Sequence, residues 1–305
     1  MDVLSDICKS IRLEGSIFYR SDLTAPWGMI LPAASEPRFH VVLEGELWFQ
    51  TDKMPEPQLM QAGDVLIIPE GEWHWIADSI GSECVNGPDA REALIAGKPM
   101  FQGDSIDTRL LCGLFRFDKT LEHPLISALP DIIQLHYDPD SDKDFLKFTV
   151  DWIFSEFNSE APGANVLIDR LCEILFIQSL RNIQDLEKYA NGFLIALKDP
   201  RINKALQLIH SHPEKAWTLE ALAAEVAMSR AVFADHFVYT VGCPPISYLT
   251  SWRMRNALNL LKETNLSAQI IAEKVGYQSN TSFSRAFQRH FGLSPLEYRK
   301  KPEPL

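Results

Sequence analysis

The sequence predicts an α+β chain of two domains: a small β-barrel with a helical segment behind it, and an all-α half built on a repeat. Three observations carry that prediction. The chain has 305 residues, more than the roughly 100 to 200 of a common single domain. Short apolar runs punctuated by Gly and Pro fill the first 120 residues, and the last hundred match themselves at an offset of 50. With 46% hydrophobic and 23% charged residues, two cores can form and a largely disordered chain is excluded.

The strand-like runs are 15–19, 39–43, 46–50, 65–68 and 110–117. Many short strands separated by turn residues predict a barrel or jelly roll over residues 1–120. Residues 121–198 read as mostly helical. Ala164, Leu167, Ile168, Leu171, Cys172, Leu175, Ile177 and Leu180 recur at helical spacing and form a wide apolar face. That face needs a cover, either the barrel or the same helix of a second subunit. Gly192, Asp199 and Pro200 punctuate the joint before the last segment, 199–305.

In that segment Ser229, Phe233, Phe237, Gly242, Pro245 and Tyr248 fall on Ser279, Phe283, Phe287, Gly292, Pro295 and Tyr298. Just upstream, Ala223 and Val226 fall on Ala272 and Val275 at an offset of 49. Each copy reads as helix, tight turn, helix. In the first, Thr218 caps a helix with Leu219, Leu222, Ala223 and Val226 inside, and Ser229 caps a second with Val232, Phe233, His236 and Phe237 as its inner stripe. In the second, Ser267 starts the first helix, Gly276 permits the turn, and Ser279 caps a helix with Phe283, Ala286 and Phe287 inside. This is the helix-turn-helix arrangement, whose second helix can enter a major groove. Between the copies, residues 246–263 lack Gly and Pro and predict a helix of about 18 residues, about 27 Å long. Such a rod can set two reading helices near the roughly 34 Å repeat of B-DNA.

The charge agrees once it is divided. A net charge of −12 argues against a nucleic-acid partner, but residues 1–198 carry −16 and residues 199–305 carry +4. A basic binding module joined to an acidic domain follows. The exposed side of the last reading helix carries Asn280, Thr281, Ser284, Arg285, Gln288 and Arg289. Asn and Gln pair with adenine, Arg with guanine, and the remainder with phosphate.

Trp217-Thr-Leu-Glu-x-Leu-Ala, the helix after Ser229, and the run Ile271-Ala-x-x-Val-Gly-Tyr277 through Ser279, Phe283, Arg285, Phe287, Arg289, Gly292, Pro295, Tyr298 and Arg299 closely resemble the tandem helix-turn-helix domain of AraC/XylS-family transcription regulators. The resemblance covers about a hundred residues. It implies base contacts from Arg230, Ala231, Ala234 and Asp235 in the first copy and from Asn280, Thr281, Ser284 and Arg285 in the second, with Ser279 and Arg289 as further DNA-binding residues. Two alanines and an acid offer little to a base edge, so the second copy is expected to carry more specificity.

Gly63-x5-Pro69-x-Gly71-x2-His74-x3-Asp78 resembles the second signature of cupin barrels, with Asp78 where Asn is usual. The first signature is fragmentary: Gly45 fits, the paired histidines are missing, and Arg38 stands in the place of the usual acid. His40 shares a strand face with that position. His40, His74 and Cys112 are therefore the candidate effector or metal residues, and hydrogen-bonded barrel histidines the bland alternative. No metal is firmly implied. Cys112 sits among apolar neighbours, which raises a thiol pKa and makes it inert unless a cation is close. The segments around residues 39–46 and 111–117 also resemble the cupin-type sensor joined to some AraC-family regulators, whose relatives respond to a small-molecule or redox signal.

The expected function is a sequence-specific transcription regulator, an activator, with an N-terminal cupin-like sensor and a C-terminal double helix-turn-helix. The alternative is a metal-dependent cupin dioxygenase or isomerase with a helical appendage. Double-stranded DNA, an effector, a second copy of the chain and RNA polymerase are the expected partners. No apolar stretch approaches the roughly 18 residues that span a bilayer, and the acidic start lacks the basic residues of a secretory signal, so the expected compartment is the cytoplasm. Five widely spaced cysteines without a C-x-x-C pair suggest neither a disulfide framework nor a zinc ribbon.

Overall fold

The computed structural model describes residues 2–11, 13–117, 123–138, 144–159, 161–185 and 192–300. The chain divides into two compact units, Leu13–Phe117 with Leu129–Glu187, and Met1–Arg12 with Asp118–Ala128 and Lys188–Leu305. Of the described residues, 2–11 and 123–128 group with the C-terminal helices.

The first unit holds strands β1 (Glu14–Leu23), β2 (Gly28–Leu31), β3 (Arg38–Glu44), β4 (Glu46–Thr51), β5 (Gln58–Gln61), β6 (Asp64–Ile68), β7 (His74–Ala77), β8 (Val85–Asn86), β9 (Thr108–Arg116) and β10 (Ile133–His136). They form two five-stranded sheets, ordered β1-β9-β3-β6-β10 and β5-β4-β7-β2-β8. Residues two apart share a face, so Leu66 with Ile68 and Leu110 with Cys112 point into the same core as Met29 with Leu31, Phe49 and Ile76 of the other sheet. Burying each large side chain contributes about 1.5–3 kcal/mol. The short run Ile133–His136 is a strand inside the stretch expected to be helical, and it pairs with β6. Four residues are too few for a period to show.

This unit also contains helices α2 (Gly87–Ile95), α4 (Phe145–Phe157) and α5 (Ala164–Asp185). The apolar face of α5 lies on the first sheet: Phe176 packs on Phe115, ring centroids 4.8 Å apart, and Phe115 stacks on Phe39. Gly15 of β1 lets the helix come close, since a Cβ there would sit 2.3 Å from the Cβ of Cys172. Phe176 is buried although it was not among the expected face residues, whereas Leu167 is 41% exposed.

The second unit is helical: α1 (Val3–Ser10), α3 (Pro124–Ser127), α6 (Gly192–Lys198), α7 (Pro200–Ser211), α8 (Leu219–Glu225), α9 (Arg230–Val241), α10 (Pro245–Glu263), α11 (Ala268–Lys274), α12 (Asn280–Phe291) and α13 (Pro295–Lys300). The helix α1 packs on α7 and α10. No described helix is long and apolar enough to cross a membrane.

Candidate nucleic-acid interface and the buried histidine chain

The two helical hairpins form where the repeat places them, α8–α9 and α11–α12. Thr218, Ser229, Ser267 and Ser279 each occupy an N-cap and accept a backbone N–H of the first turn through the side-chain oxygen. Gly242 and Gly292 end α9 and α12 in the left-handed conformation, φ 84° and 77°. The turns differ. Gly276 has φ 82°, and the equivalent residue of the first copy, Ala227, holds φ 53° with a Cβ in place.

Phe233 and Phe237 on α9, and Phe283 and Phe287 on α12, are fully buried. Val232 was expected beside them and is instead 56% exposed. It precedes Phe233 by one residue, a rotation of about 100°, and the burial follows the i, i+4 row. His236 is half-buried, with Nε2 2.6 Å from the carboxylate of Asp199.

The helix α10 joins the hairpins over 19 residues, about 28 Å at the standard rise. Its Arg253 couples them. Nε donates to the Pro213 carbonyl at 2.6 Å and Nη2 to that of Lys215 at 2.8 Å, ahead of the first hairpin. The same guanidinium lies over the Tyr277 ring in the second turn, 5.7 Å from its centroid. Gly276 fits against this joint because a Cβ there would lie 2.8 Å from the Glu214 backbone. Sequence alone did not single out Arg253, since a basic residue on a long helix carries no signal of what it caps.

In the first hairpin Arg230, Ala231 and Asp235 are exposed and Ala234 is half-buried. Arg230 pairs with Glu220 at 2.9 Å. In the second, Ser279, Asn280, Thr281, Arg285 and Arg289 are exposed and Ser284 is half-buried, its hydroxyl 3.4 Å from Asn280 Oδ1. Among the described residues Arg285 and Arg289 form no ion pair, so α12 presents two unneutralised guanidiniums beside an amide and a hydroxyl. Tyr239 on α9, which the sequence did not single out, is 75% exposed.

In the first unit, register brings His40 directly opposite Cys112 across the β3–β9 pair. The thiol lies 2.9 Å from His40 Nδ1, His40 Nε2 lies 2.9 Å from His74 Nε2, and His74 Nδ1 lies 2.8 Å from the Glu72 carbonyl. One proton assignment satisfies the row. A carbonyl only accepts, so His74 Nδ1 donates, its Nε2 accepts from His40 Nε2–H, and His40 Nδ1 accepts from the Cys112 S–H. All three side chains are buried and neutral. Burial, with the cation of Arg38 nearby, depresses the basicity of His74 to a pKa of about 4, although its bond to Glu72 opposes the shift. Burial, His74 and Arg38 hold His40 well below the ordinary imidazole range. Burial raises the Cys112 thiol against the opposing pull of Arg38, so it stays protonated. The donor set does not fit an ion held by all three residues. His40 offers opposite ring edges to Cys112 and His74, and the lone pairs that would bind a metal already accept protons.

The helical unit buries a second row that the sequence did not reveal. The backbone N–H of Leu125 donates to His123 Nδ1, so His123 Nε2–H donates to the Tyr248 oxygen at 3.1 Å. The Tyr248 hydroxyl then donates to His210 Nε2 at 2.7 Å, and His210 Nδ1 stands 3.6 Å from the Asp6 carboxylate. His210 also stacks on Trp252, centroids 3.7 Å apart. Burial, with Arg255 nearby, takes the His210 pKa down to about 3.

Comparison with known proteins agrees with both halves. A cupin family model matches residues 2–185, and a helix-turn-helix domain model matches residues 222–301. The HTH-type transcriptional regulator AlkR of Acinetobacter baylyi is 33% identical over 99% of this chain and 100% of its own length. The RCS-specific HTH-type transcriptional activator RclR of Escherichia coli is 26% identical over 100% and 99%. The solved C-terminal domain of AraT from Geobacillus stearothermophilus is 35% identical, covers 33% of this chain and 85% of that one, and superposes with a TM-score of 0.33. Regulator names over the whole length set aside the alternative of a metal-dependent cupin enzyme. The chain belongs to the AraC-type helix-turn-helix transcription regulators, DNA-binding proteins in which that domain follows a cupin domain.

Proposed function

We propose that this regulator reads its operator chiefly through α12, senses a small molecule in its sheet unit, and acts as a cytoplasmic homodimer that activates transcription with RNA polymerase as partner. One observation carries the operator reading: Arg285 and Arg289 are exposed and without ion-pair partners among the described residues, next to Asn280 and Thr281. That set matches the guanine, adenine and phosphate groups of a major groove. In α9, Ala231 and the exposed Val232 and Tyr239 supply apolar contacts of the kind thymine methyl groups accept, while Arg230 is held by Glu220.

The homodimer is supported by a row of exposed apolar side chains on α4, Phe145, Phe148 and Trp152, a larger cluster than isolated surface residues explain. Activation is supported by the name of the Escherichia coli relative. No resident metal belongs to this reading, because the His40–His74–Cys112 row has its lone pairs in use.

Footprinting on the DNA upstream of candidate genes tests it. Arg285→Ala is expected to weaken specific binding by about 1–3 kcal/mol and to relax the base preference at one position. An unchanged preference with equal loss on every sequence would leave Arg285 a phosphate contact and remove the assignment.

A further inference from the structure

The sheet unit contains an open cavity of about 420 Å3, within the roughly 300–1,000 Å3 common for small-ligand sites. Its wall is mixed: Ile17, Met29, Leu31, Ile76 and Leu114 form an apolar side on which Cys112 lies, and charged side chains take up much of the rest. Among these charged side chains Arg38 stands apart. It stands on β3 two residues before His40, so its side chain leaves the strand on the same inward face. Its Nη1 is buried and makes no hydrogen bond, and among the described residues it forms no ion pair although Glu36 is near.

A half-buried guanidinium with an unmet donor costs stability unless something completes it. The other charged groups on the wall do not. Arg91 is tied to the Phe18 carbonyl at 3.0 Å, and Arg116 is a further cation, against the two acids Glu36 and Glu92. The first turn of α2 reaches the same wall through Gly87 and Pro88, and its N-cap Asn86 makes no side-chain capping bond. That helix start already holds an acid, Asp89, which accepts from Asn86 Nδ2 at 3.0 Å, so the unmet positive charge on the wall is that of Arg38.

Resting on the reading of this unit as the sensor, we infer that the effector is a small organic anion, a carboxylate on an apolar body, with its charge at Arg38 and its body against the apolar side formed by Ile17, Met29, Leu31, Ile76 and Leu114. Such a molecule supplies the partner Arg38 lacks and fills the apolar remainder. A neutral or cationic compound with the same body leaves the guanidinium desolvated and unpaired.

The test is calorimetric titration of the full-length protein with octanoate, octanol and octylammonium. Octanoate is expected to bind roughly ten- to a hundredfold tighter than octanol, the ratio expected of a hydrogen bond to a charged group, and octylammonium not at all. Arg38→Gln should bring octanoate down to the level of octanol, and Arg38→Lys should keep most of the preference. Should Arg38→Gln fail to fold, the three-probe series on the unaltered protein and Arg38→Lys still decide. Equal binding of octanoate and octanol, no binding of octanoate, or full octanoate affinity in Arg38→Gln would overturn the inference. Gel shifts on operator DNA separate it from the sensor reading. If octanoate binds through Arg38 but leaves operator affinity untouched, the anion site stands and the sensor reading falls. If only uncharged compounds change operator affinity, the sensor reading stands and the anion site falls.

Discussion

Mild acid should destabilise the sheet unit through His74. In the unfolded chain this residue takes a proton near pH 6.5, and in the fold it refuses one until about pH 4. The folded pKa is depressed, so the stabilising difference is complete above pH 6.5 and is lost as the pH falls from 6.5 towards 4. Each pH unit in that window costs about 1.4 kcal/mol, which gives a loss of roughly 2 kcal/mol between pH 7 and pH 5 from this side chain alone. His40, held lower still by the same burial and by His74 itself, adds in the same direction. Urea melts of the full-length protein at pH 7 and pH 5, at fixed ionic strength, measure the loss. His74→Gln keeps one donor and one acceptor but cannot titrate, so it should begin less stable and lose about 2 kcal/mol less on acidification. An identical acid-induced loss in the variant and the parent would refute the assignment of a buried neutral imidazole at this position.

The two hairpin turns should respond oppositely to exchange of their residues. Gly276→Ala forces a Cβ into the Glu214 backbone at a positive φ and should cost roughly 1–3 kcal/mol in thermal melts. Ala227→Gly removes a side chain from the same kind of conformation and should change stability by less than about 1 kcal/mol, relief of strain offsetting the added freedom of the unfolded chain. Trp152→Glu on α4 should shift sedimentation towards the monomer without altering the melt, and an unchanged dimer would place the self-association surface elsewhere.

The helical half was legible because its signals are local. Serines before the helices, glycines after them and phenylalanines four apart fix each hairpin within a dozen residues, and all of these lie where the repeat put them. Val232 was misplaced because a stripe drawn from hydrophobicity alone does not distinguish i−1 from i+3. In the sheet half His40, His74 and Cys112 stood out by type, but their order in one hydrogen-bonded row depends on the β3–β9 register, which no short window contains. Arg38 did leave a trace, a cation where a cupin signature has an acid, although the sequence could not show that its Nη1 is buried without a partner. The His123–Tyr248–His210 row left none, since its members lie 38 to 125 residues apart.

The helix α1 has a consequence for how the protein is made. Val3 and Ile7 are buried, and α1 packs on α7 and α10, so a segment synthesised some two hundred residues ahead of them completes their core. Until they follow, this amphipathic segment has no partner within its own unit. A fusion partner appended at the amino end, or a fragment cut to begin at Asp199, therefore disturbs the operator-reading half of the molecule rather than the half that is adjacent in the chain.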